Sequence, residues 1–585
     1  MMARIVAVRD LQSIRSVAAA ATAATVFGLV WLLRFNDPGG SFAGLTDDHF
    51  FYLIRGWQIL FGDLPVRDFV DHGAPLYYYV GAAVQTIGGR GTLSEIAFSS
   101  AALALSAALI CWLCGRASGW TALGVVGALF FVCLEPRYYN YPKFLSYAAA
   151  IPLLWRFADV PNDRTRLWLA VVTVVAFLFR HDHGAFIAAS MVALLVLLRD
   201  LSWGQRLKHA AIYGALVLVM LAPYLLFIQR NGGIGTYFQQ ASAWAARDRD
   251  RAPVVWPGLF DNPDGVSEPT EKAFGMAKVV AAVRDNRVAW TYYTEIALPF
   301  FALFVLWASS DGGRPGWPQA KAKLGMVAIL AIMLVAFFLR SPLEARLADP
   351  SVPLAILVAW LIVAVPRLLV SLAALSPRAQ AYAWAVRLAV GGGAAAIAFV
   401  LGAGLSHDFY DRLDRSSMVE RVGKPFERAG QIAAQMRREW NLDTWTERDD
   451  TSDLITLARY VNACTAPGDR VLVQGYLPQV LALAQRAFAG GHADLRPGFF
   501  ATEEAQRLTL ARLKAQSVPI ILLDDGQSYE NFRSSFPLVM AHIDSEYRLA
   551  GTREFDGRFG INLFVRKNLT PARTWEPFGW PCYGS

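Results

Sequence analysis

Two adjacent aspartates, Asp47 and Asp48, follow the first apolar run of the chain, in the stretch TDDHFFYLIRGWQILFGDLPVRDFVDHGAPLYYYV. An ionised carboxylate at the water-facing mouth of a membrane bundle is costly unless hydrogen bonds, cations or a bound ligand offset its desolvation. A carboxylate held in this way can accept a proton from a hydroxyl group and make it a nucleophile. We therefore predict that this stretch carries chemistry. The alternative is that both acids only cap a helix expected from about Phe50 to Phe61, since aspartate is a preferred N-cap residue.

The composition places these acids in a membrane protein. Hydrophobic residues make up 55% of the 585 residues and charged residues only 17%, and the mean hydropathy is +0.34. Such a chain is too apolar for a soluble domain. The net charge of +8 is spread over short loops between apolar runs, which indicates orientation in a bilayer and argues against nucleic acid as a partner.

The apolar runs predict a polytopic α-helical protein with about eleven transmembrane helices, because a span needs about 20 apolar residues and tolerates somewhat fewer. The candidate spans are 17–34, 93–114, 119–134, 143–157, 167–180, 184–198, 210–228, 291–308, 324–339, 351–366 and 388–405. The run 76–88 is too short to cross, and its three tyrosines favour an interfacial or re-entrant helix.

The loop charges predict the orientation. With the N-terminus in the cytoplasm, alternate loops carry most of the arginine and lysine on the cytoplasmic side, as the positive-inside bias requires. The opposite side then receives the long loop 35–92, three later loops and turns, the loop 340–349, and everything after His407. The opening aspartates therefore face outward in this interpretation.

The composition changes after the last span. We predict a transmembrane catalytic domain at 1–406, a polar helical connector at 407–460, and an extracytoplasmic α/β domain at 461–585, in which short apolar strands alternate with helices. Cys464 and Cys582 both fall outside the membrane, where oxidation is feasible, and whether they pair is left open.

The outer loop 35–92 resembles the first extracytoplasmic loop of the GT-C membrane glycosyltransferases, which include protein O-mannosyltransferases, lipid A aminoarabinose transferases and mycobacterial arabinofuranosyltransferases. The resemblance rests on two acids, aromatics, a helix ending in glycine, and then Pro65, Arg67-Asp68-Phe69 and Pro75-Leu76-Tyr77-Tyr78. The predicted topology agrees with it. The resemblance is specific mainly over residues 47–79.

This resemblance implies hexosyl or pentosyl transfer from a polyprenyl phosphate-linked sugar to a hydroxyl of a glycan, lipid or protein acceptor. Asp47 or Asp48 would be the catalytic base, with Asp47 slightly favoured when relatives are aligned on Gly62. A single displacement assisted by such a base inverts the anomeric centre. The departing lipid phosphate needs only cations, and the planar guanidinium of arginine engages phosphate oxygens in pairs.

Residues in four outer segments are candidates for binding the substrate. These residues also have simpler explanations, which are ion pairing at the membrane surface, an ordinary polar turn, and arginine side chains that extend to the membrane interface. A metal at the turn 180–183 is weakly supported because a third distant ligand is missing, and a divalent cation as cofactor is left open. The candidates are His72, Glu135, Arg137, Lys143, Arg180, His181, His183, Arg340 and Arg346.

The sequence thus predicts a lipid-linked-sugar-dependent glycosyltransferase of a bacterial plasma membrane that works in the lipid bilayer at its outer face. The main alternative is a transporter or lipid flippase, since charges at the mouth of a bundle also occur in substrate pathways. Nearly charge-free spans and the lack of an internal repeat argue against it. A non-catalytic scaffold is the third reading.

Overall fold

The computed structural model describes most of the chain. The described residues are 3–37, 47–250, 256–259, 274–309, 317–339, 346–373, 380–439, 452–475, 477–555 and 559–583.

Helices dominate the part of the chain before residue 440. They are Ala3–Asn36, Asp47–Leu60, Pro75–Gly88, Thr92–Ser118, Thr121–Cys133, Tyr141–Asp159, Asp163–Phe179, His181–Leu197, Trp203–Arg230, Ile234–Asp250, Met276–Asp285, Arg287–Ala308, Trp317–Phe338, Ser351–Ala373, Gln380–Arg415 and Lys424–Glu439.

Seven of these helices are long and apolar enough to cross a membrane, which makes the chain a multi-pass membrane protein. These spans are Val17–Asn36, Thr92–Ser118, Trp203–Arg230, Arg287–Ala308, Trp317–Phe338, Ser351–Ala373 and Ala383–Gly402. Large apolar side chains point away from the protein along several of them, for example Leu218 and Val219, as contact with lipid requires.

The other four predicted spans also coincide with helices, but shorter ones, of 13 to 19 residues. At 1.5 Å per residue they extend about 20 to 29 Å, short of a hydrocarbon core of about 30 Å. The total of eleven spans stays a prediction for these four helices, and so does the orientation of the chain.

The chain divides into two compact units. The first contains residues 1–37, 99–223 and 245–429, and the second contains residues 38–98, 224–244 and 430–585. The long first loop therefore belongs to the same unit as the C-terminal domain. The predicted domain boundaries at 406 and 460 remain predictions.

The helices Thr92–Ser118 and Thr121–Cys133 pack closely against each other. A Cβ atom on Gly124 would collide with the carbonyl oxygen of Cys111, and one on Gly127 would collide with the thiol of Cys114. Glycine is therefore required at both positions for the two helices to approach. Cys111 and Cys114 are free thiols buried in this packing.

The second unit holds a five-stranded sheet in the order β2-β1-β3-β5-β4. Its strands are β1 (Arg470–Val473), β2 (Ala487–Phe488), β3 (Ile520–Asp524), β4 (Tyr547–Phe555) and β5 (Phe559–Arg566). Strand β1 runs parallel to β2 and β3, whereas β5 pairs antiparallel with β3 and β4. The helix Ser452–Cys464 precedes the sheet, and the helices between its strands are Pro478–Ala484, Glu503–Ala515, Gly526–Ser535 and Pro537–Glu546.

A small hairpin closes the domain, formed by β6 (Arg573–Trp575) and β7 (Trp580–Cys582). A disulfide joins Cys582 to Cys464 at the end of the helix Ser452–Cys464. The sequence left this pairing open. The predicted fold class, an α-helical polytopic membrane protein with a C-terminal α/β domain, is confirmed by these elements.

Candidate active site

The helix Asp47–Leu60 begins at the first of the two paired acids. The prediction that it starts near Phe50 is therefore wrong by about one turn, because both acids lie in the first turn, where carboxylates interact well with the unpaired N–H groups of a helix. The Asp48 side chain is half-buried. The Asp47 side chain lies outside the described part of the structure. A role of either acid as base remains a prediction.

Buried polar groups hold this helix against its neighbours in the second unit. His49 and Glu95 are both buried, and His49 Nε2 lies 2.9 Å from Glu95 Oε1. Gln85 Nε2 donates to the other carboxylate oxygen of Glu95 at 3.3 Å. This network joins Asp47–Leu60, Pro75–Gly88 and the start of Thr92–Ser118, so the paired acids stand on a rigid support.

A buried arginine that the sequence analysis missed lies two turns along the same helix. Arg55 is 2% exposed, and its guanidinium lies 3.4 Å from the centroid of the Phe51 ring. The ring of His72 packs 5.5 Å from Phe51. Desolvation by the surrounding protein, together with the charge of Arg55, holds the pKa of His72 well below its ordinary value. His72 is therefore neutral at pH 7 and can donate or accept a hydrogen bond.

The loop that follows this helix is bound to the C-terminal domain. Arg470 at the start of β1 donates from both terminal nitrogens to Asp63, at 2.5 and 2.9 Å. Gln58 Nε2 donates to the carbonyl oxygen of Phe488 at 3.0 Å. The backbone N–H of Val70 donates to the carbonyl oxygen of Gly491 at 3.0 Å. The C-terminal domain thus supports the loop at three separate places.

Asp71 closes the loop as a hydrogen-bond acceptor. One carboxylate oxygen accepts the N–H groups of Gly73 and Ala74, both at 2.9 Å. The other accepts the hydroxyl groups of Tyr237 at 2.8 Å and Tyr224 at 3.1 Å. With all four bonds made, Asp71 has a structural role and is not available as a base.

A second group of charged residues, the helix-end cluster, lies in the first unit. We define it as Lys143, Tyr147, Arg180, Asp182, His183, Glu295 and Asp349. Lys143 Nζ lies 2.5 Å from Asp349 Oδ1, and both side chains are buried. Arg180 pairs with Asp182 at 2.6 Å. Burying such pairs costs several kcal/mol per ion unless geometry and further hydrogen bonds offset the cost.

His183 contacts one acid and one aromatic residue of this cluster. Its Nδ1 atom lies 3.2 Å from Asp182 Oδ1 and 3.0 Å from the hydroxyl of Tyr147. The ring is buried, with 4% of its surface exposed. His181, one residue before Asp182, instead contacts the carbonyl oxygen of Phe177 at 2.9 Å and stacks on its ring. The structure therefore brings Lys143, Arg180 and His183 together.

Glu135 and Arg137 lie elsewhere. Glu135 pairs with Arg412, which also approaches Asp37 at 3.8 Å. Arg137 Nη1 donates to the Tyr139 hydroxyl at 3.5 Å. Glu135 is half-exposed and ion-paired, as the simpler explanation predicted. Arg340 lies outside the described residues, and Arg346 is half-buried shortly before the helix Ser351–Ala373.

The three acids of the helix-end cluster, Asp182, Glu295 and Asp349, were absent from the predicted site residues, although Asp182 lies in the turn that carried three of them. Asp349 was assigned only to a loop, and Glu295 fell inside a predicted span without comment. A single acid in an apolar run is itself the signal that could have found Glu295, since intramembrane acids are rare and usually functional. In the described ranges, no three His, Cys, Asp or Glu side chains gather as they would around a metal ion.

Comparison with known proteins gives only remote similarity. No family model matches the sequence, and no curated protein matches it. Among solved structures, ArnT from Cupriavidus metallidurans bound to undecaprenyl phosphate is similar over 94% of this chain and 97% of its own, with 14% identity and a TM-score of 0.44. The apo structure of the same protein gives 14% identity and a TM-score of 0.42, over 94% and 98%. Similarity at this level does not by itself establish a common reaction.

Proposed function

We propose that the chain is an inverting glycosyltransferase that transfers a hexose or pentose from a polyprenyl phosphate carrier to an acceptor hydroxyl at the outer face of a bacterial plasma membrane. The observation that carries the proposal is the helix-end cluster. Its residues come from separate helices, and the positive-inside bias predicts that the ends of these helices lie on the outer side of the membrane. A buried charged cluster of this kind is costly, which favours a task at that end of the bundle.

The first loop would supply the base. Asp47 or Asp48 would accept the proton of the acceptor hydroxyl while the oxygen attacks the anomeric carbon and the bond to the carrier phosphate breaks. One displacement inverts that carbon. The second acid would orient the acceptor or help to bind a cation. Neutral His72, in the same loop, would contact the sugar.

The carrier phosphate would leave as an anion, so cations are needed and a proton is not. Lys143, Arg180 and Arg346 are the candidates within the described residues, and Arg340 is the fourth. Lys143 and Arg180 already pair with acids, so the phosphate would share these cations with Asp349 and Asp182. Arginine suits such sharing because it presents five N–H donors in a fixed plane.

A membrane transporter or lipid flippase is the second candidate, and Glu295 favours it. The sequence argument against transport rested on spans that are nearly free of charge. Glu295 is a buried acid within the span Arg287–Ala308, and such acids also mark the pathways of transported substrates.

The test uses the purified full-length chain in lipid nanodiscs with a panel of radiolabelled polyprenyl phosphate sugars. We expect one donor to release polyprenyl phosphate when acceptor is present. Asp47→Asn and Asp48→Asn should insert normally, and at least one should lose transfer by about a hundredfold or more, as expected for removal of a general base. Asp414→Asn, which changes an exposed acid, is the matched control.

Full transfer by both aspartate variants would exclude the proposed base. Sugar-lipid movement across proteoliposomes without release of polyprenyl phosphate would favour the transporter.

A further inference from the structure

Glu295 is the most unusual acid among the described residues. It is 1% exposed, and neither carboxylate oxygen has a hydrogen-bond partner in the described part of the chain. It lies in the third turn of the helix Arg287–Ala308. A carboxyl group in this position is unsatisfied in either protonation state. The ionised form has no neighbouring hydrogen-bond donor, and the neutral form also has no neighbouring acceptor for its O–H group.

Two further buried hydroxyl groups without described partners lie on the same helix and on a helix packed against it. Tyr292 is three residues before Glu295, so the two side chains emerge from one helical face. Its hydroxyl is buried and has no hydrogen-bond partner among the described residues. Ser351 opens a helix that packs against Arg287–Ala308, and its buried hydroxyl is unpartnered within the same described ranges. Native proteins leave few such groups, and each calls for an explanation.

Asp349 connects these groups to the cationic part of the helix-end cluster. It is two residues before Ser351, it pairs with Lys143, and its charge acts on Glu295. The cluster therefore has a cationic end at Lys143 and an acidic end at Glu295. A phosphate group would be repelled at the acidic end. A metal ion would lack ligands there, because no three metal-binding side chains gather in the described residues.

Hydroxyl groups fit the acidic end. Each hydroxyl of a ligand can donate one hydrogen bond and accept others. It could donate to the Glu295 carboxyl oxygens and could either donate to or accept from the Tyr292 and Ser351 hydroxyls. Several hydroxyls on one rigid ring would satisfy the three orphaned groups together. A sugar attached to a phosphate presents this combination, with its anion beside Lys143 and its ring hydroxyls beside Glu295.

We infer that Glu295, with Tyr292 and Ser351, forms the pocket for the ring hydroxyls of the donor sugar, next to a phosphate held near Lys143. The inference rests on the proposed function and names its specificity site. Glu295 then contributes to recognition of the sugar and does not take part in proton transfer.

The experiment compares the binding of polyprenyl monophosphate with that of its glucosyl, mannosyl and arabinosyl esters to the full-length chain in nanodiscs. Glu295→Gln keeps the size of the side chain but removes its charge. We expect this variant to bind the preferred sugar ester about tenfold or more weakly, because the amide replaces one carboxyl oxygen by an N–H donor and leaves a sugar hydroxyl without its partner, and to bind bare polyprenyl monophosphate as the wild type does. Ser351→Ala, a smaller change, should act in the same direction.

Glu420→Gln removes an exposed glutamate from the same unit and should change neither affinity. Equal weakening of ester and bare lipid by Glu295→Gln, or no change in either, would overturn the inference while leaving the proposed function intact. If Glu295→Gln fails to fold, Ser351→Ala decides by the same comparison. If the wild type binds neither lipid, the proposed function itself fails.

Discussion

Arg470 and Asp63 form a two-point ion pair across 407 residues of sequence, with nitrogen–oxygen distances of 2.5 and 2.9 Å. Asp63 lies just after the helix that begins with the paired acids, and Arg470 begins the first strand of the C-terminal sheet. Both side chains are largely buried. The α/β domain therefore helps to fix the conformation of the loop to which the catalytic base is assigned.

Breaking this pair should loosen the loop. For Arg470→Glu we expect a loss of about 3 kcal/mol, because one charge of a largely buried pair is left uncompensated. Hydrogen exchange of the first loop measures the change, and the double variant Asp63→Arg with Arg470→Glu should restore much of the protection. Arg67→Ala removes an exposed partner of Asp68 and should cost less than about 1 kcal/mol. Equal exchange in wild type and Arg470→Glu would show that the pair does not hold the loop.

Removing one partner of the pair between Lys143 and Asp349 should destabilise the protein more than removing both partners together. Lys143→Met and Asp349→Leu should each lower the unfolding temperature in detergent, since each leaves a buried charge alone. The double variant should recover stability, because no charge then remains to be desolvated. Binding of polyprenyl monophosphate should stay weak in it, since the cation is gone. Additive destabilisation in the double variant would contradict a direct interaction.

Acid should destabilise the second unit through His492. Burial lowers the pKa of His492 to about 3, and the charges of Arg512 and Arg55 act in the same direction. An unfolded histidine titrates near 6.5, so the unfolded chain binds more protons between about pH 6.5 and 3. Stability is complete above this range and falls as the pH decreases through it.

His492→Gln can keep the contact with Thr509 but cannot titrate. Thermal unfolding between about pH 4 and 7 should therefore depend less on pH in this variant than in the wild type. His542→Gln, at a half-buried position, is the control and should change the profile less. An unchanged profile in His492→Gln would show that other groups cause the acid sensitivity.

Gly124→Ala should disrupt the close pair of helices in the first unit. The added methyl group would meet the backbone carbonyl of Cys111, which cannot move without shifting its helix. We expect a loss of about 1 to 3 kcal/mol, seen as a lower unfolding temperature. Gly214→Ala adds the same atom where nothing lies within 4 Å and should be neutral or slightly stabilising. Equal unfolding temperatures in the two variants would contradict this packing.

Some of this architecture is predictable from sequence because the signal is local. The apolar run at 518–525 and the apolar helices produce the strand Ile520–Asp524 and the spans by patterning alone. The two-residue strand Ala487–Phe488 is too short to leave a recognisable pattern in the sequence.

The site could be predicted only in part, for a related reason. The residue types of Lys143, Arg180 and His183 and their places at helix ends indicated candidates. Their partners depend on tertiary contacts between distant segments, and no local pattern encodes the pairing of Lys143 with Asp349. Glu295 could have been identified from the sequence, because an acid in an apolar run stands out there. Only its buried surroundings require the structure.

The disulfide between Cys464 and Cys582 ties the end of one helix to the last strand of the chain. Everything between these cysteines is a covalently closed ring that contains the whole five-stranded sheet. A protease that cuts one exposed turn inside the ring would open it without releasing a fragment. The nicked halves would separate only in reductant, so the domain can survive proteolytic damage while still attached to the membrane-spanning helices.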